Sequence, residues 1–158
     1  MNIRRAVSGD IPAILSLLRQ VGGLHHEGRP DLFKRGTKYT EVTLLPLLSS
    51  DSSPIFVAEE GGSILGHLFC RFESTPEDSV HIERKTLYID DLCVDESARG
   101  RHVGRALMDF ARDFARRSEC YNLTLFVWSF NETALRFYEG LGMAPQKICM
   151  EEILEESR

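Results

Sequence analysis

The stretch between residues 94 and 107 places arginines and glycines directly before a predicted amphipathic helix. It reads VDESARGRHVGRAL, so a strand ends, a loop with Arg and Gly follows, and a helix begins. Free N–H groups at a helix N-terminus, glycines that permit close approach and flanking arginines together favour binding of an anion. Six arginines and two aspartates between residues 99 and 117 give a local charge of +4, whereas the whole chain carries −5. The sequence therefore predicts a phosphate or pyrophosphate site in an otherwise acidic protein.

Two consecutive carboxylates, Asp90 and Asp91, lie within a predicted strand over residues 87–94. Side chains of a regular strand alternate between its two faces, so we expect only one of them to reach a given pocket. A carboxylate in such a strand is either a general base or a buried group held by a hydrogen bond or an ion pair. The residues alone leave both interpretations open.

Hydrophobic spacing predicts the elements that must position these residues. The predicted strands cover residues 2–7, 55–59, 64–72, 87–94, 123–128 and 146–153. The predicted helices run from an N-cap at Ser8 to Gly22-Gly23, over about 37–48, over 101–117, and from an N-cap at Asn131 to Gly140 or Gly142.

The segments between these elements complete the expected order. Residues 24–36 and 74–85 are predicted to be irregular, and Gly61-Gly62 is predicted to form a hairpin turn. The strand over 123–128 is apolar on both alternating faces, which favours burial on both sides. The whole order predicts a mixed sheet with helices on both faces.

Composition and charge limit the class of protein. With 158 residues and 42% hydrophobic side chains, the chain is expected to form a single domain over residues 1–158. The net charge of −5 argues against nucleic acid as a partner. The four cysteines form no CxxC pair, so no metal site is expected, and Cys70 and Cys93 are expected to be buried free thiols. No apolar stretch approaches the ~18 residues of a membrane span and no signal peptide is evident, which favours a cytoplasmic protein.

Two motifs in the expected order carry a resemblance to a known family. The residues from Arg99 to Gly104 resemble motif A, [RQ]xxGx[GA], of the GNAT superfamily of acetyl-CoA-dependent N-acetyltransferases, and the residues from Asn131 to Met143 are similar to its motif B, NxxAxxFYxxxGF. His102 replaces the middle glycine of motif A, a substitution that is costly if the position requires a positive φ. The resemblance implies a single α+β domain: a mixed, mostly antiparallel sheet of six to seven strands, about four helices and splayed central strands.

The resemblance also implies the roles of individual residues. Tyr138 would be the general acid, Leu92 would supply the oxyanion N–H, and Asp90 would be the base, with Asp91 as the second choice. Leu87 to Asp91 resemble the polyamine acetyltransferase branch, which has a glutamate at the position of Asp90. The implied contacts of acetyl-CoA are Leu92, Cys93, Val94, Arg99, Gly100, Arg101, His102, Val103, Gly104, Arg105, Asn131, Ala134, Phe137 and Tyr138. The expected contacts of the acceptor are His25, His26, Glu27 and Trp128, and no metal is implied.

The predicted function is transfer of an acetyl group from acetyl-CoA to a primary amine by direct attack in a ternary complex. The acidic remainder of the chain favours a small cationic amine as acceptor. Two alternatives stay open: acetylation of a protein or peptide N-terminus, and a catalytically weak CoA-binding sensor. A homodimer is a further expectation from the resemblance.

Overall fold

The computed structural model describes residues 1–154, which contain five strands and four α-helices. The strands are β1 (Asn2–Arg5), β2 (Ile55–Glu60), β3 (Ser63–Thr75), β4 (Arg84–Val94) and β5 (Asn122–Leu125). The helices are α1 (Ile11–Gly28), α2 (Glu41–Leu44), α3 (Val103–Arg117) and α4 (Glu132–Gly140). The chain divides into two compact units, Met1–Phe126 with the whole sheet and a second that begins at Val127 and contains α4.

The five strands form one mixed sheet in the order β1-β2-β3-β4-β5. The first four strands pair antiparallel, and β5 pairs parallel with β4. Gly61 and Gly62 join β2 to β3 with φ values of 58° and 81°, the backbone that a two-residue hairpin turn needs. The α+β class, the mixed sheet and the hairpin are therefore confirmed.

The sheet has five strands in the described residues rather than six to seven, because residues 146–153 form no strand there. The alternation of Ile148 and Met150 suggested a strand, yet both side chains are exposed. A strand needs a neighbouring edge to pair with, and alternation in one segment does not supply it. The strand expected over 123–128 is also shorter: β5 ends at Leu125, its residues are half-buried, and Phe126 is exposed. Burial on both sides was wrong: in the part of the chain that the structure describes, β5 is an edge strand paired with β4, and its four residues are only half-buried.

Two of the predicted helices differ from the observed ones. Ser8 begins a short 3-10 turn, and α1 then runs through Gly22-Gly23 to Gly28 instead of ending there. The helix expected over 37–48 is reduced to α2, which Thr40 caps, and a 3-10 turn over Leu45–Ser49. Pro46 explains this reduction, because it lacks the N–H that a continuing α-helix requires.

Helices pack on both faces of the sheet in the first unit, as the element order predicted. On one face, Ile55 and Phe69 pack with Ile14 and Leu18 of α1 and with Leu44 of α2. Burial of these side chains stabilises the fold by about 1.5–3 kcal/mol for each.

The other face of the sheet packs on α3 through aromatic side chains. The ring of Phe56 lies 4.7 Å from that of Phe110 and 5.0 Å from that of Phe114, centroid to centroid, at edge-to-face angles. These contacts fix α3, and with it the loop that precedes α3, against β2.

An ion-pair cluster joins β1 to the start of α1. The carboxylate of Asp10 accepts hydrogen bonds from Arg4 at 2.7 and 3.0 Å and from the N–H of Val7 at 2.8 Å. The Arg4 guanidinium lowers the pKa of Asp10, with burial opposing and the Val7 bond assisting. The pKa of Asp10 is therefore lower in the folded chain than in the unfolded chain. The ionised Asp10 stabilises the fold fully at pH values above its unfolded-state pKa, and this stabilisation is lost as the pH falls through its folded-state pKa.

We therefore expect Asp10→Asn to lower the free energy of unfolding by about 2 kcal/mol at neutral pH, the value of hydrogen bonds to a charged group. The difference from wild type should shrink as pH falls below about 3.9. Urea unfolding at neutral and acid pH measures it. Asp51→Asn is the matched control, because Asp51 also pairs with an arginine but is fully exposed. Its Oδ1 lies 3.8 Å from the guanidinium of Arg5. Equal effects of the two substitutions would contradict the assignment.

Candidate active site

A β-bulge brings Asp90 and Asp91 to the same face of β4. In the β3–β4 register Phe69 is opposite Asp91 and Cys70 is opposite Ile89, so Asp90 is the extra residue. Asp91 contacts His67 and Asp90 contacts Arg71, and these two partners lie four residues apart on β3 and so share a face. The expectation that the two carboxylates point to opposite faces was wrong, because alternation holds only for a regular strand.

Asp91 is paired with a histidine that the sequence analysis did not identify. Nε2 of His67 lies 2.5 Å from Oδ2 of Asp91, and the His67 side chain is 0% exposed. Its Nδ1 has no hydrogen-bond partner among the described residues. The signal was available in the sequence, since His67 interrupts the apolar strand ILGHLFC, and a buried polar side chain of that kind requires a partner.

Asp90 lies between two cations instead. Nζ of Lys38 is 2.7 Å from its Oδ2, and the guanidinium of Arg71 is 3.9 Å from its Oδ1. Burial alone would lower the pKa of Lys38. The hydrogen bond to Asp90 and the negative charge of Asp90 outweigh burial, so the pKa of Lys38 is raised. A cavity of about 80 Å³ adjoins Asp90, with Tyr39, Phe69 and Arg71 among its lining residues. Asp90 is thus neutralised by its neighbours, whereas Asp91 faces an imidazole.

His25 and His26 lie in the last turn of α1 rather than in a loop. Gly22 does not end the helix, because its role is to let another part of the chain come close. The carbonyl oxygen of Gly36 lies so near Gly22 that it would overlap a Cβ atom there. Burial lowers the pKa of His25, and the charge of Asp91 opposes that shift, which places His25 within electrostatic reach of Asp91. Nδ1 of His26 lies 2.7 Å from the carbonyl oxygen of Phe33, while Glu27 is exposed.

The last residues of β4 extend beyond β5, so within the described residues their backbone has no strand partner on the side away from β3. The pairing of β4 with β5 ends at Ile89 and Leu125, whereas β4 continues to Val94. Just beyond the ladder, the N–H of Asp95 donates to the carbonyl of Leu65 at 2.8 Å. Hydrogen-bonded and non-bonded pairs alternate along an antiparallel ladder, so Leu92 and Val94 turn their N–H and C=O groups away from β3. An extended ligand could pair with this edge as an added strand.

The loop after β4 leads into an open helix N-terminus. Gly100 and His102 have φ values of 76° and 62°, and α3 begins at Val103. The N–H of Ala106 bonds the carbonyl of His102, so the N–H groups of Val103 to Arg105 have no acceptor within the helix. Among the described residues no side chain caps this terminus. The backbone there can bind an anion, and the position of His102 does require the left-handed conformation.

The arginines of this region divide into two groups. Arg99 is exposed, and its guanidinium lies 3.7 Å from Oε1 of Glu96. Arg101 forms an ion pair with Glu60 at the end of β2. Along α3, Arg112 and Arg116 pair with the aspartates three residues before them, at 2.8 and 2.9 Å. Arg112 and Arg116 therefore belong to the charged surface of α3, whereas Arg99 and Arg101 lie in the loop that leads into the open terminus.

The second unit contains motif B. Oδ1 of Asn131 accepts a hydrogen bond from the N–H of Ala134 at 3.1 Å, so the predicted N-cap is confirmed. The helix ends at Gly140, and Gly142 follows with φ of 85°. Tyr138 is half-buried, with its ring 5.0 Å from that of Phe137.

Two aromatic side chains precede α4 in the second unit. Trp128 is 39% exposed, and its ring stacks on that of Phe130 at 6.1 Å. Core packing, the other interpretation of Trp128 from the sequence, is therefore wrong, and its role as a contact of the acceptor stays a prediction.

Cysteine chemistry in the first unit is suppressed by burial. Cys70 and Cys93 are free and buried, as expected, and burial raises the pKa of each thiol to about 12. Among residues 1–154, no group of three or more His, Cys, Asp or Glu side chains is arranged to hold a metal ion. No helix in the same range is long and apolar enough to cross a membrane.

The comparisons with known proteins identify the family. The model of the Acetyltransferase (GNAT) family matches residues 22–143, so the chain belongs to this family. The chain is 32% identical over 145 residues to the uncharacterised N-acetyltransferase YhfO of Bacillus subtilis, covering 90% of this chain and 89% of the relative. It is also 33% identical over 79 residues to glucosamine 6-phosphate N-acetyltransferase of Arabidopsis thaliana, over 46% of this chain and 51% of that one. The protein is an N-acetyltransferase, and members of its family use acetyl-CoA as donor.

Solved structures share the fold. A mutant of the BH1408 protein of Bacillus halodurans superposes with a TM-score of 0.94 at 30% identity, covering 98% of this chain and all of that one. An aminoglycoside acetyltransferase from a soil metagenome superposes with a TM-score of 0.71 at 20% identity, covering 98% of each chain. The second similarity establishes the fold alone.

The left-handed backbone at His102 carries a prediction. A non-glycine residue in this region costs about 1 kcal/mol, so His102→Gly should raise Tm by about 3 °C and tighten acetyl-CoA binding. Glu119→Gly is the matched control: Glu119 follows α3 with φ of 57°, so it should raise Tm similarly without changing acetyl-CoA affinity. Thermal unfolding with and without acetyl-CoA measures both effects. If Glu119→Gly raises Tm and His102→Gly does not, the His102 side chain makes contacts that offset the cost of its left-handed backbone.

Proposed function

We propose that this N-acetyltransferase transfers the acetyl group of acetyl-CoA to a small primary amine by direct attack in a ternary complex. The edge of β4 that extends beyond β5 and leads into the open N-terminus of α3 is the observation that carries this proposal. The edge suits an extended chain bearing amides, and the helix terminus suits a pyrophosphate. The edge of β4 is followed along the chain by the N-terminus of α3, and in acetyl-CoA the pantetheine is joined in the same order to the pyrophosphate.

The residues that would hold acetyl-CoA fall into three groups. Leu92 and Val94 would pair with the pantetheine through their backbone. Cys93, predicted as a third backbone contact, would not, because its N–H and C=O groups face His67 of β3. Gly100, His102, Val103, Gly104 and Arg105 would surround the pyrophosphate with backbone N–H groups, and Arg99 and Arg101 would supply charge. For the second unit, the proposal rests on the match to motif B, which assigns Asn131, Ala134, Phe137 and Tyr138 as contacts of acetyl-CoA. When bound, acetyl-CoA supplies a thioester whose C–S bond breaks as the new C–N bond forms.

Removal of a proton from the amine is the main barrier that the protein must lower. An amine of pKa ~10.4 is ~3.4 units above neutral pH, so freeing its lone pair costs roughly 4.6 kcal/mol. Asp91 is better placed than Asp90 to accept this proton, because Asp90 is neutralised by Lys38 and Arg71. The side chain of Asp91 is 18% exposed, so its proton can pass on to water.

The remaining roles follow from the groups already described. The N–H of Leu92 lies on the same edge of β4 and would stabilise negative charge on the carbonyl oxygen during the transfer. The hydroxyl of Tyr138 would protonate the departing sulfur. Cys93 does not serve as an acyl carrier, because a thiol of pKa about 12 is scarcely ionised at neutral pH. The amine therefore attacks directly.

The acceptor follows from the charges around Asp91. Lys38 and Arg71 already neutralise Asp90, which leaves Asp91 as the carboxylate of β4 that can attract an ammonium group. His25 at the end of α1 lies within electrostatic reach of Asp91. These features support a small cationic amine such as a polyamine or an amino sugar.

Initial-rate kinetics with a panel of amines test this proposal. Release of CoA thiol is measured against both substrates for a polyamine, an amino sugar and a peptide with a free N-terminus. We expect intersecting double-reciprocal lines and the highest kcat/KM for a small cationic amine. Parallel lines would indicate an acyl-enzyme, and preference for the peptide would indicate an N-terminal acetyltransferase. Binding of acetyl-CoA without turnover of any amine would indicate a sensor.

A further inference from the structure

His67 is a buried titratable side chain that the mechanism above does not use. It lies on β3, opposite Cys93 of β4 and diagonal to Asp91, with its ring 4.9 Å from that of Phe69 in edge-to-face contact. Its imidazole is wholly enclosed, and its one hydrogen-bond partner in the described residues is the Asp91 carboxylate. A fully buried histidine that touches one functional carboxylate deserves a functional explanation.

The contacts of its two ring nitrogens determine the tautomer of His67. An ionised Asp91 can only accept, so Nε2 must carry the proton that it donates across 2.5 Å. Nδ1 then carries the lone pair, and it is buried with no hydrogen-bond partner among the described residues. A proton on Nδ1 would leave an N–H donor buried without an acceptor, which is unfavourable. Both the other neutral tautomer and the imidazolium place a proton there, so both are disfavoured.

We propose that His67 is a positioning residue that holds Asp91 by one carboxylate oxygen and leaves its other oxygen to accept the proton of the acceptor amine. This inference rests on the proposed function, in which Asp91 is the base. During a turnover the ammonium proton moves to the free oxygen of Asp91 and then to water, while the proton on Nε2 of His67 stays in place. His67 therefore does not relay protons.

Three elements contribute the charged or titratable groups around this pair. His25 approaches Asp91 from α1, His67 approaches from β3, and Asp90 and Cys93 flank Asp91 on β4. The cation Lys38 lies against Asp90, with its Nζ 2.7 Å from Oδ2 of Asp90. Removal of the Nε2–H donor frees the Asp91 carboxylate to rotate, since Nε2 of His67 is the group that holds its Oδ2.

Two variants separate positioning from a merely structural role. His67→Leu fills the space without a donor, and His67→Gln retains an N–H near the position of Nε2. We expect His67→Leu to lower kcat for the amine by about 100-fold, with the KM for the amine and the affinity for acetyl-CoA nearly unchanged. His67→Gln should recover kcat to within about 5-fold of wild type. Equal losses of kcat in both variants would overturn the proposal, as would full activity of His67→Leu.

Nitrogen-15 NMR of the imidazole provides a readout that does not require turnover. In the full chain at neutral pH, we expect the resonances that disappear in His67→Gln to report the neutral Nε2–H tautomer. An Nδ1–H tautomer or an imidazolium at that position would overturn the proposal whether or not any amine is acetylated. If the expected tautomer is found and no amine is turned over, the proposed function fails while the pairing of His67 with Asp91 is supported.

Discussion

Asp91→Asn is expected to lower kcat/KM for the amine by about 100- to 1,000-fold at neutral pH, the range of a lost general base. Asparagine has the same shape and its carbonyl can still accept from Nε2 of His67, so the fold should persist. It cannot accept a proton from the ammonium group. Thiol-release rates at saturating acetyl-CoA measure the loss, and the affinity for acetyl-CoA should be unchanged.

The pH dependence of this loss provides a second check. Above the amine pKa of ~10.4 the lone pair is already free, so the deficit of Asp91→Asn should shrink as pH approaches that value. Asp90→Asn is the matched control, because Asp90 is neutralised by Lys38, and it should retain activity to within about 10-fold. If Asp90→Asn is the more damaging variant, the base is Asp90, as the resemblance first implied. If both are fully active, no carboxylate of β4 is the base.

Tyr138→Phe is expected to lower kcat by about 100-fold without weakening acetyl-CoA binding. Phenylalanine keeps the ring contact with Phe137 at 5.0 Å and removes only the hydroxyl. The loss should lie at the low end of the range for a general acid, because a thiolate is a fair leaving group. Steady-state kinetics with a parallel acetyl-CoA titration separate the two effects.

Tyr121→Phe is the control for the loss of a tyrosine hydroxyl. Tyr121 is exposed, and the guanidinium of Arg84 lies 4.7 Å from its ring centroid, a contact that phenylalanine preserves. We expect no change in kcat or in acetyl-CoA affinity. Unchanged turnover of Tyr138→Phe would contradict the assignment of the general acid and leave protonation of the sulfur to water.

Features governed by neighbouring residues in the chain were predictable from the sequence. The apolar stripe of α3, the cap at Asn131 and the hairpin at Gly61-Gly62 each depend on a few consecutive residues. The GNAT family was recognisable from two short motifs for the same reason. The motif also marked His102 as costly if its position requires a positive φ, and the structure gives it a φ of 62°.

Features governed by distant residues were not predictable. The bulge at Asp90 exists only in the register with β3, and it reverses which carboxylates share a face. The continuation of α1 through Gly22 depends on the approach of Gly36, fourteen residues away. Alternation at residues 146–153 likewise could not show whether a neighbouring edge was available. A homodimer and a single-domain organisation stay predictions.

Binding of acetyl-CoA by the wild-type chain is the most direct test of the claim that the β4 edge and the α3 N-terminus form a donor site. The measurement is the shift of thermal unfolding during an acetyl-CoA titration. At about 100 times its Kd, the ligand should stabilise the folded state by roughly 2.7 kcal/mol, which raises Tm by about 5–10 °C. We predict a saturable shift of this size despite His102. Absence of a shift at millimolar acetyl-CoA would contradict the donor site and, with it, the proposed reaction.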